Sequence, residues 1–411
     1  MREAPLAGVE RDLRRILAVQ ALRAFAYGFG VVVLGTALHR AGFTAFQVTL
    51  VFTAMLAGMA LASILVGLVG DRVGRRRLYA GLLLLMGAAG VVFAFAGSVW
   101  VLALVALTGT MSTDANESGP ITSLEQAMIG QAPAVARVHV FGRYNAVAYL
   151  AGAVGSLAAG GPAFLKHFWH AAPSDQRWLL VFPLVAAACA ALALSLSPAM
   201  ESGGDGRAQR PLERSRGTVK KLSALFATDA FAGGFVVSSF MVLWFVTKFG
   251  ASQELMSLVF FAGGLLQAGS SIVAARVGAR FGLLNTMVLS HLPSNLLLIA
   301  VPLMPSLAPA LIILLVRFAL SQMDVPTRQA YIATMVDPEE RTAAAAFTNT
   351  SRYVARSFGQ LLAGALMTNV AVGAPFLVAG SIKCGYDLIL WRVFRKIRLP
   401  GDPAASPRPP A

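Results

Sequence analysis

Charge is scarce in this chain. Asp, Glu, Lys and Arg make up 13% of its 411 residues, about half the share found in soluble domains. Hydrophobic residues make up 57%, and mean hydropathy is +0.69. Water cannot hydrate the surface of a fold of that composition, so the apolar mass is expected to face lipid. Cysteine is nearly absent. Cys189 and Cys384 each sit inside an apolar run, where a buried thiol packs rather than bridges. Five scattered histidines, His39, His139, His167, His170 and His291, have no ligand spacing with each other or with cysteine, so no metal is expected. The chain has no HExxH, no phosphate-cradling glycine loop and no nucleophile with an evident base. Catalysis, a bound cofactor and ATP-driven pumping are therefore excluded as expectations.

What the chain has in excess is positive charge, a net +15. A nucleic-acid binder gathers its Lys and Arg on one face or tail. Here they collect in short segments between apolar runs, which is the pattern of membrane topology, and no nucleic-acid partner is expected. Apolar stretches of about 20 residues span a hydrocarbon core as helices. Twelve are predicted, near 16–38, 46–69, 78–97, 100–127, 139–163, 176–197, 221–247, 252–274, 283–304, 307–332, 343–369 and 373–392. The run after Arg2, Arg11, Arg14 and Arg15 is too long for a signal-peptide core and lacks a cleavage site, so it is expected to be kept as the first span.

An even number of spans puts both ends on one side. With the N-terminus inside, 25 basic residues fall in internal segments and four, Arg40, Lys166, Arg177 and Lys248, fall outside. That asymmetry predicts cytoplasmic N- and C-termini. Residues 198–221 are rich in Gly and charge and read as a cytoplasmic linker, and 399–411 as a disordered tail. The expected organisation is a six-helix bundle over 1–197, the linker, and a second bundle over 222–398.

The two halves also align at one offset of 204 residues. Asp71-Arg72-Val73-Gly74 falls on Ala275-Arg276-Val277-Gly278 and Arg76 on Arg280. Arg137 falls on Arg341, Asn145 on Asn349, Tyr149 on Tyr353, Gly155 on Gly359 and Gly160 on Gly364. A duplicated six-helix unit places a substrate site between its copies at mid-membrane.

The segment after the second span reads GLVGDRVGRRR. With Gly67, Asp71, Arg72, Gly74, Arg75 and Arg76, it resembles the signature loop of the major facilitator superfamily, although Ala275 replaces the acid in the second copy. The resemblance implies an all-α membrane protein of twelve transmembrane helices in two pseudo-symmetric six-helix bundles. It also implies that the loop is a conformational latch: Asp71, at a cytoplasmic helix end, pairs or caps in only one of two access states. The Gly-Pro-rich pattern of family antiporters is not matched in span five, where Gly152, Gly155, Gly160 and Gly161 read as close-packing residues. The acid that many drug exporters of the family carry in span one is missing, since the only charge expected there is Arg23.

Intramembrane charge marks the candidate site, because an ionised carboxylate at mid-membrane costs at least about 2.5 kcal/mol. Span four carries Asp114, Asn116, Glu117 and Glu125. The spacing predicts Asp114 and Glu117 on one helix face with Glu125 nearly in phase, and Gly119-Pro120 breaks the helix locally. Desolvated acids of this kind suit proton exchange. Span ten is a partial counterpart, with Asp324, Pro326 and Arg328. Further intramembrane charges are Arg23, Asp229, Arg317, Arg352, Arg356, Lys383 and Asp387. Arg352 and Arg356, four apart, either hold an anionic substrate group, neutralise the acids across a cavity, or snorkel towards an end. Arg23 and Asp229 either face each other across the cavity or do not. Trp169 and Trp178 suit an interfacial belt.

The expected function is secondary transport of a small organic solute across the inner membrane, proton-coupled, by a monomer, with export favoured slightly over uptake of a metabolite or vitamin. A membrane enzyme or assembly factor is the remote alternative.

Overall fold

A computed structural model describes residues 3–40, 45–112, 114, 118–130, 134–159, 161, 165, 168–169, 176–200, 212–251 and 253–396. The structure is all-helical, and the expected spans appear in order. Spans one to three are α1 (Glu3–Arg40), α2 (Ala45–Val73) and α3 (Arg75–Phe95). Span four is split into α4 (Val99–Ala106) and α5 (Pro120–Ile129). Span five is α6 (Ala134–Ala158), and span six is a 3₁₀ turn (Gln176–Leu180) running into α7 (Val181–Leu194).

The second half repeats the plan. Span seven is split into α8 (Arg216–Gly234) and α9 (Ser238–Phe249), followed by α10 (Gln253–Phe281) and α11 (Leu283–Ala300). Span ten is split into α12 (Leu307–Ser321) and α13 (Asp324–Met335). Spans eleven and twelve are α14 (Arg341–Asn369) and α15 (Ala374–Phe394).

Burial runs opposite to that of a soluble protein. Leu61, Leu65, Leu104, Leu157, Leu184, Leu258, Leu289 and Ile312 are each more than half exposed, whereas Arg23, Glu125 and Asp387 are buried. In water that arrangement is untenable. In a bilayer it is expected, because lipid solvates the leucines and the charges must find partners inside. Among the described residues, Arg75–Phe95, Gln176–Leu194, Leu258–Phe281, Leu283–Leu303 and Leu307–Met335 are long and apolar enough to cross a membrane unaided.

The chain forms two compact units. Unit 1 comprises Met1–Gln131, Val147–Glu213 and Pro338–Thr350; unit 2 comprises Ala132–Ala146, Arg214–Asp337 and Ser351–Ala411. Each unit thus takes a short segment from the other sequence half, which the reading by halves did not anticipate. The core of unit 1 packs Tyr27, Met86, Phe93, Leu102 and Phe182. Unit 2 has one apolar cluster around Trp244, Phe245, Leu298, Leu314 and Phe376, and another around Phe226, Met287, Tyr331, Tyr386 and Phe394.

The internal repeat is visible in the backbone, with a correction to its register. Gly74 (φ 89°) turns α2 into α3, and Gly282 (φ 81°) turns α10 into α11, so these glycines correspond. They lie 208 residues apart, one helical turn more than the single offset expected. Asp71-Arg72-Val73-Gly74 therefore matches Ala279-Arg280-Phe281-Gly282, not the residues four earlier. The 204 register begins only after the breaks in spans four and ten, where Pro120 opens α5 and Asp324 opens α13. From the start of α4 to the start of α5 is 21 residues, whereas from the start of α12 to the start of α13 is 17; that difference of four is the shift.

Past the breaks, the equivalent residues Asn145 and Asn349 each donate to a glutamine, although Gln329 corresponds in this register to Glu125 and not to Gln126. In unit 1, Asn349 Nδ2 donates to Ser123 Oγ (3.0 Å) and Gln126 Oε1 (3.3 Å). In unit 2, Asn145 Nδ2 donates to Gln329 Oε1 (2.7 Å). Gly155 lies against the carbonyl of Phe25, and Gly359 against that of Phe231, leaving no room for a Cβ at either. In span five, close helix approach is thus seen at Gly155 and at Gly152, whose carbonyl lies against Gly28; Gly161 faces open space, and Gly160 lies outside the described residues.

Candidate functional site

In unit 1 the break in span four builds the site. The run Thr-Gly-Thr-Met-Ser-Thr before it favours side-chain-to-backbone bonds over helix, and Gly109 and Gly119 take positive φ (68° and 49°). Both glycines pack against α2 at Gly58 and Met59, where a Cβ would not fit. Pro120, with no N–H to lose, then opens α5. This overturns the expected helical phase. Asp114 is half-buried in non-helical chain, its own N–H bonded to Ser112 Oγ at 2.9 Å, and shares no helix with Glu125. Asn116 and Glu117 lie outside the described residues.

Glu125 is fully buried on α5. Its Oε2 accepts from Arg23 Nη2 at 2.6 Å, and its Oε1 accepts from the Tyr79 hydroxyl at 2.6 Å. Arg23 is also fully buried and donates to Ser118 Oγ (2.5 Å) and to Gln20 Oε1. Gln20, Arg23 and Tyr27 lie three and four apart on α1 and so share a face. Tyr27 donates to the Thr110 carbonyl (2.6 Å), tying that face to the break. Arg23 is thus partnered within its own unit by Glu125.

In unit 2 the charges gather around Asp229 on α8. Its Oδ1 accepts from Lys383 Nζ of α15 at 2.5 Å, and Arg328 Nη1 of α13 lies 3.6 Å from its Oδ2. Arg328 also donates to Asp324 (3.3 Å) and sits over the Phe226 ring. His291 of α11 bridges the carboxylates. Its Nδ1 is 2.8 Å from Asp387 Oδ1, and its Nε2 is 3.7 Å from Asp229 Oδ1. Asn295, one turn on, donates to Asp387 Oδ2 at 2.9 Å. All six ionisable members, Asp229, His291, Asp324, Arg328, Lys383 and Asp387, are buried. Pro293 lies inside α11 between His291 and Asn295 and removes a helix hydrogen bond there.

The remaining expected residues are placed as follows. Arg317 of α12 is half-buried, stacked on the Phe318 ring (5.8 Å), and its buried Nε has no hydrogen-bond partner. Arg352 and Arg356 are half-buried on α14. In the loop between α2 and α3, Gly74 makes the turn, Arg75 is buried, and Arg76 Nη2 donates to the Leu194 carbonyl at the end of α7 (2.5 Å). The side chains of 67–72, Asp71 and Arg72 among them, lie outside those described.

A profile of the Major Facilitator Superfamily matches residues 16–228 and 222–411. The chain belongs to this superfamily. As a member it is a multi-pass membrane transporter of a solute. It is 28% identical over 421 residues to an uncharacterized membrane protein of Saccharomyces cerevisiae, YJR124C, covering 93% of this chain and 94% of that one. The fold is shared with the human organic anion transporter MFSD10 (TM-score 0.69, 16% identity, 93% of this chain and 99% of that one). It is shared equally with the proton:xylose symporter XylE bound to 6-bromo-6-deoxy-D-glucose (TM-score 0.69, 15% identity, 92% and 95%). Superfamily members and both of these neighbours are transporters rather than enzymes.

His291 is the site residue that sequence reasoning set aside, because the search was for metal spacing. The available signal was simpler. An ionisable residue near the middle of an apolar span, followed one turn later by Asn295, is a functional residue by default.

Proposed function

We propose that this superfamily member moves a small organic solute across the inner membrane by alternating access, coupled to protons, with both termini cytoplasmic. The bundles 1–197 and 222–398 are the moving bodies and the protein acts as a monomer. The observation that supports coupling is the buried cluster around Asp229. Four helices each contribute an ionisable side chain to one spot inside a lipid-facing unit, where charges cost far more than apolar side chains of equal volume. Glu125 with Arg23 is the corresponding feature of unit 1. Asp71 and its loop serve as the latch between access states. Export is the proposed direction, and uptake is the alternative that the same assay resolves.

The test is flux in proteoliposomes of defined orientation, using labelled anions, cations, zwitterions and neutral solutes under an imposed pH gradient. Gradient-driven movement that nigericin abolishes supports the reading, and its direction separates export from uptake. Solute movement indifferent to the gradient refutes coupling, and absence of movement across the panel refutes transport of such solutes.

A further inference from the structure

We propose that unit 2 holds a joined proton and anion site, in which His291 Nε2 takes the coupling proton and Arg317 receives the negative group of the solute. This rests on the transport reading above, taking its uptake alternative because a proton and an anion that bind together travel together, and it adds the solute's charge class and the proton's address.

The carboxylate beside the ring selects the nitrogen. Asp387 Oδ1, 2.8 Å from His291 Nδ1, favours a proton on Nδ1, while Asn295 Nδ2 lies 3.1 Å from that nitrogen and donates to the other oxygen of Asp387. The Nδ1–H tautomer leaves Nε2 with its lone pair, facing Asp229 Oδ1 at 3.7 Å. A proton arriving at Nε2 makes an imidazolium flanked by two carboxylates. The groups around it are Asp229 from α8, Asn295 from its own helix, Asp324 and Arg328 from α13, and Lys383, Tyr386 and Asp387 from α15.

The charge count then calls for an anion. Asp229, Asp324 and Asp387 are set against Arg328, Lys383 and Arg317, which is balanced while His291 is neutral. Arg317 differs from the other two cations. Asp229 and Asp324 act on it electrostatically, yet it is in no ion pair among the described residues and its Nε is unsatisfied. A guanidinium fork with a free edge fits a carboxylate or sulfonate. Protonating His291 leaves one positive charge in excess, and an anion on Arg317 restores neutrality. Uncompensated charge at membrane depth is disfavoured, so the empty and doubly filled states are favoured over either half-filled one. That differential is the coupling.

The experiment uses purified full-length protein and four probes of one shape: benzoate, benzenesulfonate, benzyltrimethylammonium and benzamide. Binding is read as thermal stabilisation at pH 5.5 and pH 8. Wild type should bind an anion at pH 5.5 and lose roughly tenfold or more in affinity at pH 8. Arg317→Gln should abolish anion binding at both pH values. His291→Gln should hold affinity at the weak value at both. Asp387→Asn removes one negative charge, so it should bind at pH 8 as tightly as wild type does at pH 5.5. A purely packing role for the cluster predicts no such gain, and this variant decides the matter if His291→Gln fails to fold. No stabilisation by either anion, or a pH effect that survives His291→Gln, overturns the proposal. Gradient-driven flux of the cation or of benzamide alone overturns it while leaving transport standing. Absence of flux for all four probes and the wider panel counts against transport itself.

Discussion

Neutralising Glu125 should expose how unit 1 is held together. Glu125 and Arg23 are both fully buried and 2.6 Å apart, and Tyr79 occupies the other carboxylate oxygen. Glu125→Gln keeps shape and volume but removes the negative charge paired with the Arg23 guanidinium. For charge centres about 4 Å apart at an effective dielectric of about 20, the lost attraction is about 4 kcal/mol. That agrees with the roughly 3–5 kcal/mol seen when one partner of a buried pair is removed, and it is a large part of a total stability of about 5–15 kcal/mol. Arg23→Met should cost a similar amount by stranding the carboxylate. The double variant removes both charges, so it should be more stable than the sum of the single losses implies, by about 2 kcal/mol or more. Unfolding in mixed micelles by SDS titration gives all four free energies. Single losses that add to within about 0.5 kcal/mol would show that the pair does not couple and would refute the argument.

Gly155→Ala and Gly359→Ala should each destabilise by about 1–3 kcal/mol, because the new methyl meets a backbone carbonyl of Phe25 or Phe231 that cannot yield; thermal unfolding tests this, and no change would mean the helices can separate freely. Asn145→Ala and Asn349→Ala should each cost about 1 kcal/mol for the bonds lost to Gln329, or to Ser123 and Gln126, and similar losses at the two positions would support the equivalence of the two asparagines. Asp71→Asn should slow transport without changing which solute is carried, since a latch acts on the rate of exchange between states; altered selectivity in competition assays would remove that role.

Much of the fold was legible because lipid imposes simple rules. Every span needs about 20 apolar residues, so all twelve expected stretches overlap the observed helices, although α1 begins 13 residues before its expected start, and α10 through α15 begin within two residues of their expected starts apart from the break in span ten. Scarce charge inside spans also pointed to Arg23, Glu125, Asp229, Asp324 and Arg317 before any contact was known. The break in span four was harder to read. Gly119-Pro120 announced it, but Gly109 determined its length by taking a positive φ against α2, and that depends on a neighbouring helix. The same break moved Asp114 out of phase with Glu125 and shifted the register of the repeat by one turn.

The sequence by itself determined the solvent, the number of crossings and the positions that cannot be left without partners, because each follows from local composition and a fixed membrane thickness. Only the tertiary structure decided who partners whom. Arg23 met Glu125 rather than Asp229, and His291 joined Asp387 and Asp229 from helices 96 and 62 residues away in the chain. Pairing depends on which helix faces turn toward each other, and that is settled by small residues such as Gly155 and Gly359, which let backbones touch, not by the charges themselves.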